Sequence, residues 1–269
     1  MGKFSGYLIC TDLDDTLLTT DKKISPENKR AIKYFMDEGG LFTFATGRMP
    51  QGVEVVLKEL MPNAPIVCAN GASIYDFKEQ EFLMSHFLDD DAIRVVEYIE
   101  NKCPYVGIEV NDNDTIHFCK SNRYTEECKA WEELESEDID YHLVKRPWKK
   151  IVFMMDEQYV GEVKKLLMES EFRNKYSFMQ SSPYYYEVLP KGSTKGEGML
   201  ELSQLLGIDK NKTIGIGDNE NDLDLVKKAG IGVAVENATQ AVKDAADWIV
   251  CDNDNHAIKA LIEKLESTL

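Results

Sequence analysis

Three short polar stretches each follow an apolar run: Asp12-Leu13-Asp14-Asp15-Thr16, Thr46-Gly47-Arg48, and Gly217-Asp218-Asn219-Glu220-Asn221-Asp222. Asp12 and Asp14 alternate about Leu13, so where a strand ends both can turn toward one crevice, and carboxylates gathered there must be neutralised by a cation. Hard oxygen donors without His or Cys favour Mg2+, held by a few carboxylates, waters and a substrate phosphate. Taken alone, each stretch also has a plain structural reading. Asp12 to Asp15 is an Asp-rich turn, Asp218 to Asp222 is a capped helix start, and Thr46-Gly47-Arg48 is a strand-to-helix turn with a solvated arginine. Together they fit a ligand site, because ligands bind beyond the carboxyl ends of the strands in an open parallel sheet.

The elements that must position them follow a repeating order. Residues 7–10 read as a short buried strand, and Ser25-Pro26 as an N-cap with proline at the first helical position. The helix that follows places Ala31, Ile32, Phe35 and Met36 on one face and stops at Gly39-Gly40. A strand at 41–45, a helix at 50–60 and a third strand at 65–69 come next. The rhythm returns after Ser193, with a helix to 206, a strand at 213–216, a helix at 222–229 and a strand at 231–235. This βαβαβ order predicts a parallel sheet covered on both faces. Between the two halves the character changes. Helices at 89–103, 122–134 and 158–170 mix with strands at 105–110, 115–119, 150–155, 176–180 and 184–189, and a charged, poorly periodic stretch at 135–140 separates two groups. The fold class is therefore α/β, a Rossmann-like parallel-sheet core from residues 1–85 and 191–269 with an α+β domain inserted at 86–190.

Composition narrows the partners. The chain of 269 residues carries 48 acidic against 31 basic side chains, a net charge of −17, which argues against a nucleic-acid partner because such binding draws on clustered Lys and Arg. The six cysteines form no CxxC pair and several lie in apolar runs, so reduced buried thiols are expected rather than zinc or disulfides. His86, His117, His142 and His256 show no ligand spacing. The first residues lack the apolar core of a signal peptide, and no run approaches the roughly 18 apolar residues of a membrane span. A cytoplasmic protein without a membrane partner, monomeric or homodimeric, is the expectation.

The motifs as a set resemble the haloacid dehalogenase superfamily, and within it the Cof-type phosphatases that carry a large α/β cap. Asp12-Leu13-Asp14-Asp15-Thr16-Leu17-Leu18 looks like the first family motif, Ala45-Thr46-Gly47-Arg48 the second, Lys195 within Lys191-Gly192-Ser193-Thr194-Lys195-Gly196 the third, and Gly217 to Asp222 the fourth. Asn70-Gly71-Ala72 and Val235-Glu236-Asn237-Ala238 also match family signatures. The similarity runs from about Tyr7 into the final helix and is weakest through the insert.

The resemblance implies Mg2+-dependent hydrolysis of a small phosphorylated metabolite. Asp12 would attack phosphorus, and Asp14 would protonate the leaving alkoxide and then take a proton from the attacking water. Mg2+ and Lys195 would offset the repulsion between Asp12 and the phosphate. Asp12, the Asp14 backbone carbonyl and Asp218 would be metal ligands, with Asp222 ligating through water or orienting Lys195. Thr46, Gly47 and Asn221 would bind phosphoryl oxygens, and Arg48 would either contact phosphate or substrate or pair with an acidic residue at the domain seam. Selectivity would come from the cap, where Arg123, Tyr184, Tyr185, Tyr186 and Glu187 are candidates, although half-buried strand positions suit the tyrosines better. Two features depart from the family: Asp15 stands where glycine is common, although aspartate is also familiar there, and Asp252-Asn253-Asp254-Asn255-His256-Ala257 lacks the usual Asp-Gly. A phosphotransferase or mutase on the same core, and a non-enzymatic phosphometabolite-binding regulator, are the alternatives.

Overall fold

The computed structural model describes residues 2–113, 115–134 and 137–269. Glu135 and Ser136, the start of the charged stretch noted above, lie outside the described residues. The chain divides into two compact units: Met1–Gly47, Val56–Met84 and Thr194–Leu269 form the first, and Arg48–Val55 with Ser85–Ser193 the second.

The first unit is built on a five-stranded sheet in the order Trp248–Val250, Ile231–Val235, Thr213–Gly217, Leu8–Thr11, Leu41–Phe44. All its pairings are parallel. Leu8–Thr11 is buried throughout, as a central strand covered on both faces must be. Its register sets Thr11 against Ile216 on one side and Phe44 on the other, so Leu8–Thr11 and Leu41–Phe44 end level and Thr213–Gly217 runs one residue further. Ser25 caps the helix Pro26–Asp37 by accepting from the Asn28 amide, and Ile32 and Phe35 are its buried apolar face. That helix packs on Ala257–Thr268, and Lys195–Leu205 packs on Leu223–Lys228.

The third strand differs from the expectation of one continuous parallel sheet. Ile66–Cys68 pairs antiparallel with Ser73–Asp76 in a separate sheet of three strands, and meets the main sheet through a parallel bridge between Val67 and Ala45. Asn70 and Gly71 both adopt positive φ, at 50° and 88°, and turn the chain straight back on itself, leaving no room for a crossover helix.

The second unit holds a five-stranded antiparallel sheet ordered Ile116–Lys120, Gly107–Asn111, Lys150–Met154, Tyr185–Leu189, Ser177–Ser182. Ile108, Val110, Ile151, Phe153, Tyr186 and Val188 alternate onto one face and share a core with Val95, Val96 and Ile99 of the helix Ile93–Lys102 and Val160, Val163 and Leu167 of Glu157–Glu169. Glu109 and Glu187, on the other face, flank the Lys150 ammonium at 3.9 and 3.8 Å, all three nearly inaccessible. The fold is α/β, a parallel-sheet core interrupted by an α+β insert. Among the described residues no helix is long and apolar enough to cross a membrane.

Candidate active site

Asp12 is the first residue beyond the central strand, its amide bonded to the Ile216 carbonyl at 2.9 Å and its side chain almost fully buried. Facing it is Lys195, which opens the helix Lys195–Leu205 behind the cap residue Thr194. The Lys195 ammonium is fully buried and lies 2.5 Å from Asp12 Oδ1 and 2.6 Å from Asp222 Oδ1. Asp222 uses its second oxygen to accept from the Asp218 and Asn219 amides, both at 3.1 Å. Both of its oxygens are thus engaged in holding Lys195 and the loop. Asp218 accepts from the hydroxyl of the buried Thr16 at 2.8 Å.

Two glycines explain why this loop geometry closes. A Cβ on Gly217 would stand 2.3 Å from the Asp222 Cβ, and one on Gly71 would stand 1.9 Å from the Thr194 carbonyl oxygen. The Asn70-Gly71 turn therefore lies directly against the start of the lysine helix.

Asp12, Asp218 and Asp222 each offer a carboxylate oxygen within 4.8 Å of the others'. Burial, and then the Asp222 charge, push the Asp12 carboxyl well above the ordinary carboxylate range, while Lys195 pulls the other way. The same two influences push Asp218 up to about 7. Burial works against the Lys195 ammonium, but the Asp12 and Asp222 carboxylates outweigh it and hold Lys195 above the usual lysine range. Three carboxylates around one ammonium leave a local surplus of negative charge. A divalent cation with hard oxygen preference fits this donor set, which contains no nitrogen or sulfur ligand.

The second motif lies alongside. Thr46 is nearly inaccessible, bonded by its backbone amide to Val67 and by its carbonyl to the Asn70 amide, at 2.9 Å each. Asn70 is fully buried in a left-handed conformation and accepts from Asn221 Nδ2 at 3.3 Å; a Cβ on Gly47 would stand 3.0 Å from its Nδ2. Asp14 is half-buried, beside Lys22. Arg48 groups with the second unit, where its guanidinium donates to the Gly52 carbonyl at 3.0 Å and stacks 5.2 Å from the Trp131 ring centre. Also in that unit, Tyr186 is core, Tyr184 stacks on Tyr124 at 4.9 Å, Arg123 pairs with Glu127, and Glu187 lies in the buried charge cluster.

The haloacid dehalogenase-like hydrolase family model matches residues 9–262, nearly the whole chain and every motif just described. The chain belongs to that family. Relatives of this hydrolase include YwtE of Bacillus subtilis, a 5-amino-6-(5-phospho-D-ribitylamino)uracil phosphatase, 27% identical over 96% of this chain and 98% of that protein. Another is the putative phosphatase YxeH of the same organism, 28% identical over 96% and 97% of the two chains. Among solved structures, a haloacid dehalogenase-like hydrolase from Bacteroides thetaiotaomicron superposes with a TM-score of 0.85 at 26% identity, covering 96% of this chain and 99% of the other. Family and relatives together make the hydrolase a phosphatase.

Sequence reasoning named the carboxylates and the lysine but assigned no role to Thr16 or Asn70. Thr16 lay within a motif already noted, and Asn70 preceded a glycine after a strand, the pattern of a left-handed turn.

Proposed function

We propose that this phosphatase hydrolyses small phosphate monoesters, sugar phosphates or related phosphorylated metabolites, through an aspartyl-phosphate on Asp12. The observation that carries the reading is the buried Lys195 ammonium bridging Asp12 and Asp222 beside Asp218. A buried cation fixed against one carboxylate oxygen is the arrangement needed to bring a nucleophilic carboxylate and a phosphate dianion together.

Asp12 attacks phosphorus, and Asp14 gives its proton to the departing alkoxide. In the second half Asp14 takes a proton from water as that water attacks the acyl phosphate, returning Asp12 and releasing phosphate. Lys195 stabilises charge on the phosphoryl oxygens, and Asp222, with both oxygens engaged, orients Lys195. Thr46, the Gly47 amide and Asn221 receive the phosphoryl group. Mg2+ is the metal this reading assigns, with Asp12, Asp218 and the Asp14 backbone carbonyl as its ligands, and when bound it neutralises the phosphate charge. Choice among substrates is assigned to the inserted unit. The phosphorylated ribityl substrate named for YwtE supports a polyhydroxylated leaving group.

The test is phosphate release from a panel of phosphorylated metabolites with Mg2+ and with excess EDTA, for wild type and Asp12→Asn. Metal-dependent release that disappears in the variant is expected. Turnover above a tenth of wild type in Asp12→Asn would overturn the nucleophile.

A further inference from the structure

The two departures from the family pattern, Asp15 and the closing segment 252–257, meet on one small hairpin of the first unit. Leu18 and Ile24 form an antiparallel bridge, and the turn between them is closed by the Lys22 amide on the Thr19 carbonyl at 2.7 Å and the Thr19 amide on the Lys23 carbonyl at 2.9 Å. The closing segment clamps it. Thr20 donates its amide and its hydroxyl to the two oxygens of Asp254, each at 2.8 Å, and the buried Asn253 donates to the Leu18 carbonyl at 2.9 Å. From the tip, Lys22 reaches back to the first motif, its Nζ 3.2 Å from Asp14 Oδ1 and 3.4 Å from Asp15 Oδ1.

Asp15 has φ 58° and ψ 15°, a left-handed conformation that glycine adopts without steric cost. An aspartate there keeps the turn and adds a carboxylate that a glycine lacks, and that carboxylate is spent on Lys22. The side chains of Lys22, Asp14 and Asp15 are 32%, 39% and 56% exposed, and ion pairs so open to solvent contribute little to stability.

We propose that Lys22 is a positioning residue for Asp14, anchored by Asp15 and by the clamped hairpin so that the Asp14 carboxyl is held aligned with the leaving-group oxygen. The inference rests on the reading of Asp14 as general acid. As Asp12 forms its bond to phosphorus, the ester P–O bond breaks, the leaving oxygen keeps the electron pair and the proton passes to it from Asp14. Lys22 exchanges no proton in this step; it restricts where the donor points. Alignment matters most when the leaving group is a strongly basic alkoxide, and least when it is para-nitrophenolate, which departs as a stable anion.

The test is kcat/KM of the full chain for glycerol phosphate and for para-nitrophenyl phosphate, in wild type, Lys22→Met, Lys22→Arg, Asp254→Ala and Asp14→Asn. Lys22→Met is expected to lose about tenfold more on glycerol phosphate than on para-nitrophenyl phosphate, a part of the 10²–10⁴-fold that general acid catalysis supplies. Lys22→Arg should recover most of that difference, and Asp254→Ala, which loosens the hairpin, should show a smaller loss with the same preference. Equal losses on both esters in Lys22→Met, or none on either, would overturn the proposal. Asp14→Asn separates the two readings. If it shows the leaving-group preference and Lys22→Met does not, Lys22 fails alone; if Asp14→Asn shows no preference, the acid assignment fails and Lys22 with it.

Discussion

A lysine in the first turn of a helix faces the positive end of the dipole, and Lys195 is in addition fully buried. Two carboxylates at 2.5 and 2.6 Å outweigh both penalties. Lys195→Met leaves them uncompensated in a buried site, and removal of one partner from such a set costs about 3–5 kcal/mol. Urea denaturation of the metal-free variant should show that loss at pH 8, and turnover should fall by roughly 10²–10³, the scale of losing one charge-stabilising donor. The carboxylates also set a pH dependence. A carboxyl raised in the folded state holds its proton more tightly folded than unfolded, so its contribution is present at low pH and lost as pH rises. For Asp218 that window runs from the unfolded value near 4 up to about 7. Metal-free protein should therefore lose stability across this range, and Mg2+ should raise the melting temperature more at pH 8 than at pH 5; equal shifts at both would contradict the assignment. Asp12, Asp218 and Asp222 were legible because each closes or opens an element whose apolar pattern is plain, whereas Lys195 was named only through the family resemblance. Thr16, Asn70 and Lys22 were not, since a single polar residue in a loop does not announce a partner more than 100 positions away, as for Thr16 and Asp218, or one across a hairpin.

At the scale of elements, the lysine helix and the Asn70-Gly71 turn are held together by the absence of a side chain. Gly71→Ala adds a Cβ that would meet the Thr194 carbonyl at 1.9 Å, at a φ of 88° that disfavours any L residue. Strain and overpacking together are expected to cost roughly 2–5 kcal/mol, read by thermal melting. Because the displaced backbone carries Lys195, turnover should fall even at temperatures where the variant remains folded; full activity with a lowered melting temperature would show that the helix start does not move. Helices and parallel strands were readable from periodicity, caps and glycine stops, Ser25-Pro26 being the plainest. The antiparallel turn after Ile66–Cys68 was not, because an apolar run looks the same whichever way its neighbour runs. The strand Trp248–Val250 was missed since three residues, one of them half exposed, carry no period.

At the scale of the molecule, a net charge of −17 leaves the folded chain repelling itself. Raising monovalent salt from about 0.01 to about 0.1 M shortens the screening length from about 30 to about 10 Å. The expected gain is about 1 kcal/mol, or about 2–4 °C in melting temperature, and an unchanged or lower melting temperature would mean that the acidic surface is already neutralised locally. Each unit has its own apolar core, and the grouping of Arg48–Val55 with the second unit left no mark in the sequence. The proposed chemistry is that Asp12 carries the phosphoryl group in turnover. Mixing the enzyme with substrate and Mg2+, quenching in acid within milliseconds, reducing with borohydride and sequencing peptides by mass spectrometry tests it directly. Conversion of residue 12 to homoserine is expected, dependent on substrate and on metal and absent without either; active turnover with Asp12 unmodified and another residue reduced in its place would contradict it.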